Sequence, residues 1–120
     1  MERKDRRKAI DAFEDAEKRK VRLRDVICRW PDCEDCRRYK TRLEVAHLEA
    51  KGMGGDKSSL RSVASKMILC CFLVHQGPRS LHSGDRRITP LTEHGTNGPC
   101  SFEMATEAGW ITVFVEEERR

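Results

Sequence analysis

No apolar run in the sequence is long enough to cross a membrane. The longest, Met67–Val74, falls far short of the ~20 residues a spanning helix needs. No apolar leader follows Met1, so the expectation is an intracellular, cytoplasmic protein with no membrane partner. In that setting its six cysteines are expected to serve metal binding rather than a disulfide framework. Internal repeats and low-complexity linkers are also missing, and 120 residues fit one small domain. One-signed charge is not abundant either: 24 Lys and Arg stand against 20 Asp and Glu, net +4. Total charge alone therefore does not mark a nucleic-acid binder, and its distribution matters more.

With 38% hydrophobic and 37% charged residues, the core is thin, and a domain of this kind gains from a staple. Cys28, Cys33 and Cys36 fall within nine residues, with Pro31-Asp32 as a turn between the first two. Zinc thiolates sit ~2.3 Å from the ion in a tetrahedron, so short turns that return two sulfurs to one point suit that metal. Cys28-x4-Cys33 and Cys33-x2-Cys36 both do this, and a later cysteine, Cys70 or Cys71, must complete the set.

Residues 3–24 hold no Pro or Gly and are mostly Glu, Lys, Arg, Ala and Asp, which predicts a helix. Its apolar stripe (Ala9, Ile10, Ala12, Phe13, Ala16, Val21) is weak, so it is expected to pack by one edge or to meet a second copy or another protein. Leu43–Leu48 alternates as a short strand. Gly52, Gly54 and Gly55 follow in an irregular loop. Met67–Val74 reads either as a helix by period or as a buried strand by composition. Pro78 is placed to start a helix to Ser83. Strands are expected over 88–92, 101–105 and 110–115, with Phe102, Met104, Trp110, Ile111, Val113, Phe114 and Val115 supplying much of the core. His94 and Asp85 read as loop and turn residues, and Cys100 as a buried thiol. Basic residues cluster at Arg37, Arg38, Lys40 and Arg42, between the halves of the cysteine set. With Lys51, they are the expected phosphate contacts. The basic clusters before residue 25 read as solvated surface, the alternative for their helix being a DNA-facing arm.

LEVAH, then KGMGGD, then an apolar segment leading into Cys and His, resembles the HNH endonucleases, the His-Me finger or ββα-metal group. The likeness runs over about residues 28–85. It implies an α+β fold: a ββα-metal core with a zinc knuckle over 26–85, the helix over 1–25, and C-terminal strands over 86–115. Met67–Cys70 becomes the second strand. By resemblance His47 is the general base, while His75 and His82 hold a divalent cation (Mg²⁺, Mn²⁺, Ni²⁺ or Zn²⁺), and the substrate is DNA. The structural zinc would sit on Cys28, Cys33, Cys36 and Cys71. Three positions depart from the family pattern. Ala46 stands where many members carry Asp or His, Ser65 where they carry Asn, and Val74 where a zinc ligand is expected. The alternative that these departures raise is a zinc-stabilised nucleic-acid-binding module with impaired catalysis.

Overall fold

The computed structural model describes residues 2–48 and 63–118. The glycine turn and Lys51 lie outside the described residues. Helix α1 covers Arg3–Asp25, as its composition predicts. Only Glu17 and Val21 are buried along it, while Ile10 and Phe13 are about 40% exposed. The helix therefore packs through its C-terminal part. It stops at Val26, whose φ is 64° and whose N–H bonds the Arg22 carbonyl, a conformation uncommon for a β-branched residue.

After the Pro31-Asp32 turn, with Asp32 at φ 48°, a short helix α2 spans Glu34–Tyr39. Strand β1, Leu43–His47, pairs antiparallel with β2, Met67–Cys71, in a register that sets Leu43 opposite Cys71 and His47 opposite Met67. All five residues of β2 are buried. One side packs on Val21 of α1, the other on Trp30 and Phe102. Burial on both faces is why this segment reads as a continuous apolar run rather than an alternation. Helix α3, Phe72–Gln76, follows β2 directly.

The expected helix over 78–83 is instead a series of turns. Ser80 and Ser83 each donate a backbone N–H to the other's hydroxyl, at 2.8 and 3.0 Å, an exchange that competes with helical bonding. Three antiparallel strands complete the fold in the order β3 (Arg86–Pro90), β4 (Cys100–Thr106), β5 (Gly109–Val115). Strand β3 lies two residues earlier than expected, its Arg87 paired twice with Glu103 of β4 at 2.9 Å.

The core holds less of the C-terminal strands than their composition predicts. Phe102 is fully buried against Trp30 in an edge-to-face contact at 5.5 Å, and Met104 packs partly on the same cluster. Trp110, Ile111, Val113, Phe114 and Val115 are each 41–50% exposed. They lie on an edge strand where the pairing slips beside Phe102, and a bulge of this kind breaks the in–out alternation.

Two arginines fasten the sheets and α1 together. Arg24 donates to the carbonyls of Ala64 and Met67 at 3.0 and 2.8 Å, and to the Thr96 hydroxyl at 3.0 Å. It also forks onto Asp25, which accepts the Leu69 N–H at 3.0 Å. Arg29 donates to the carbonyls of Thr96 and Gly98 and to Glu116 beyond β5. Such bidentate, partly buried charge pairs fix geometry as well as supplying energy. The result is a small α+β domain with an N-terminal helix and a C-terminal β-hairpin.

Candidate functional site

The four cysteines converge from three elements. Arg29 N–H bonds the Leu69 carbonyl at 2.8 Å, which lays the Cys28 segment alongside β2. The turn then brings back Cys33, at the start of α2, and Cys36 within it. Cys71 ends β2, and its N–H points at the Cys28 sulfur, 3.4 Å away. The sulfurs of Cys33 and Cys71 are 3.8 Å apart, and all four lie within 4.8 Å of one another. Sulfurs at ~2.3 Å from a tetrahedral zinc are about 3.8 Å apart, so the donor set fits a metal ion such as zinc. The strand's two-residue period turns Cys70 away from Cys71, and Cys70 stays outside the group, as does Cys100.

The thiol chemistry points the same way. Burial, followed among the raising causes by repulsion from Cys33, pushes the Cys28 thiol up to about 12, and burial pushes Cys36 up as well. Burial also acts to raise Cys71, but the approach of the Val74 N–H and of the neighbouring polar groups outweighs it and lowers that thiol. Holding all four as thiolates requires a cation among them.

The histidines are placed by the parity of β1. Leu43 and Val45 face α1, packing with Val21, Met67 and Leu69, and His47 shares that parity. Its Nε2 is 3.9 Å from Glu14 Oε1 of α1. Glu44 and Ala46 take the other face, Ala46 fully buried against Ile68. There Glu44 Oε1 meets His75 Nδ1 of α3 at 2.9 Å and accepts from Gln76 at 2.8 Å, while Oε2 accepts from Arg42 at 2.8 Å. Burial alone would raise the Glu44 carboxyl, but these three donors bring it down to about 2. With Glu44 ionised, Nδ1 of His75 is the donor, and in the neutral imidazole the lone pair is then on Nε2. His82 is exposed in the turn after α3, its N–H bonded to the His75 carbonyl at 3.0 Å. Backbone bonding thus joins His82 to His75, while His47 stands on the opposite face of β1. Among the described residues, no second group of three or more His, Cys, Asp or Glu side chains gathers at metal-binding distance.

Most of the basic residues expected to meet phosphate carry carboxylate partners. Arg37 pairs with Asp32 at 2.7 Å, Arg38 with Glu34 at 2.8 Å, and Arg42 with Glu44. Lys40 caps α2 in the left-handed region. A cleft of about 390 Å³, lined by Lys18 and Arg22 of α1 with Arg42, Glu44, His75 and Gln76, opens beside the Glu44–His75 pair. Glu44 is one of the carboxylates that the sequence offers to offset Ala46, but alternation along the strand does not clearly aim it, since the residue it holds is 31 positions away. Lys18 and Arg22 read from the sequence as plain surface, because nothing local connects them to β1. Parity offered one signal: Glu44 lies two residues before Ala46 and so faces the same way. Comparison with known proteins returns nothing: no family model, curated protein or solved structure matches the chain.

Proposed function

We propose that the chain is a metal-dependent DNA endonuclease built on a ββα-metal core, with its fold stapled by zinc on Cys28, Cys33, Cys36 and Cys71. The observation that carries this reading is the Glu44–His75 pair at 2.9 Å. A carboxylate on the α3 face of β1, the face that Ala46 shares, orients an imidazole whose other nitrogen is left to bind a cation. Carboxylate–histidine pairs of this kind fix ring orientation and raise ligand basicity. Glu44 thus stands in for the polar residue missing at position 46.

His75, with His82, would hold the divalent cation, which when bound supplies charge stabilisation to a scissile phosphate and its leaving oxygen. His47, at the end of β1, takes the proton of the attacking water. Glu14, 3.9 Å from its Nε2, stabilises the imidazolium that results. The test is nicking of supercoiled plasmid, with His47→Ala expected to fold normally and to lose cleavage.

A second reading has its own observation. Ala46 is buried and apolar, and the described histidines and carboxylates do not gather into a second cation-sized group. That favours a zinc-stabilised module that binds DNA without cutting it. It predicts salt-sensitive binding and intact plasmid with every divalent metal.

A further inference from the structure

We propose that the cleft between α1, β1 and α3 seats the sugar–phosphate backbone of DNA, with Lys18 and Arg22 as its phosphate contacts. This rests on the reading of the chain as a DNA-acting protein and gives the binding surface two named residues on a helix that the sequence reads first as surface.

Lys18 and Arg22 are four residues apart on α1, hence one above the other on one helix face. Both line the cleft opposite Arg42 and Gln76, with Leu43 and Val45 also in its wall. Its lining carries three cationic side chains and one carboxylate, Glu44. That carboxylate already accepts from Arg42, His75 and Gln76, so its charge is directed into the protein's own donors. Other arginines nearby are committed elsewhere. Arg24 and Arg29 are held in the network that joins the sheets, and Arg37 and Arg38 have surface carboxylate partners.

Arg22 differs: it is exposed and has no carboxylate partner among the described residues. Lys18 is shared with Glu14 at 3.0 Å, the carboxylate that also approaches His47. A phosphate strand needs cations placed beside the chemistry: Arg22 offers one without an ion pair, Lys18 would turn from Glu14 to the phosphate, and a backbone lying here would run past His75. Contacts of this type position a duplex without reading its sequence.

The test uses the full chain carrying His47→Ala, so that binding is read without cleavage, and follows fluorescence anisotropy of a short labelled duplex over a range of KCl. Lys18→Gln with Arg22→Gln should weaken binding at low salt at least about tenfold and equally for unrelated sequences. It should also make the log K against log salt slope shallower by about 2, or ~0.9 for each phosphate no longer neutralised. Arg22→Lys, which keeps the charge, should retain the slope, and Arg19→Gln, outside the cleft, should leave binding as it was. Gln is a good helix former, and the positions are exposed or partly exposed, so melting temperatures should match the parent. Three results would overturn the proposal: an unchanged slope in the double variant, an equal loss from Arg19→Gln, or equal competition by polyglutamate. Any of these, with plasmid nicking by the unmodified chain intact, removes the cleft and leaves the nuclease reading standing. Absence of all duplex binding by the parent chain removes both.

Discussion

At the scale of single residues, charge placed on an apolar face decides much of the behaviour. Glu17 lies on the buried edge of α1, accepts the Ala64 N–H at 3.2 Å and pairs with Lys20. Lys20, against the opposing effect of burial, holds its carboxyl below the usual carboxylate range. A carboxyl lowered by folding stabilises the fold above its unfolded pKa, and that contribution fades as pH falls through the folded one. Glu17→Gln should therefore lose about 1–2 kcal/mol at neutral pH, in line with a charged hydrogen bond. The gap from the parent should close in acid, as urea unfolding across pH would show. The cysteine turn was legible because its chemistry is local: Cys28, Cys33 and Cys36 announce themselves by spacing. Spacing and family likeness both left Cys70 and Cys71 open as the fourth donor, and strand parity supplies the physical reason for Cys71. Glu44 was not legible as a partner of His75, because one-dimensional spacing says nothing of which residues a hairpin brings together.

At the scale of elements, neighbouring strands give opposite expectations for one residue type. Phe102 of β4 is fully buried and Phe114, its partner in register on β5, is 49% exposed. Phe102→Ala should destabilise by about 3–5 kcal/mol, as large-to-small core changes do. Phe114→Ala should cost less than about 1 kcal/mol, as surface changes do, and denaturant titration of both separates them. Sequence pattern located both strands but overvalued β5, since apolar composition cannot distinguish a core strand from an exposed edge. A second element-level contact is set by Gly95, at φ 61°, where an added Cβ would collide with the Ser65 carbonyl. Both the positive φ and the collision make Gly95→Ala destabilising, by about 1–3 kcal/mol, readable as a lower melting temperature. The helix expected after Pro78 failed for a comparable reason. Proline permits a start, but the Ser80–Ser83 exchange offered the backbone a better local arrangement.

For the whole molecule, the cysteine group joins the segment after α1, helix α2 and the end of β2, so a metal bound there should carry a large share of stability. Purified protein should contain one equivalent of zinc by elemental analysis, and chelation should lower the melting temperature sharply. Cys33→Ser should lose the metal, whereas Cys100→Ser, buried but outside the group, should keep it. A chain that melts identically with and without chelator would contradict this. The α+β architecture, the long helix and the gathering of the early cysteines followed from composition and spacing. The relation of His47 to His75 did not, because it depends on which face of β1 each meets.

The nuclease reading is tested most directly by nicking of supercoiled plasmid with zinc-loaded protein in Mg²⁺, Mn²⁺ or Ni²⁺, beside His47→Ala. The account predicts metal-dependent nicking in the parent and none in the folded variant. Nicking that persists in His47→Ala, or a folded, zinc-loaded parent that leaves plasmid intact in every metal, would contradict it.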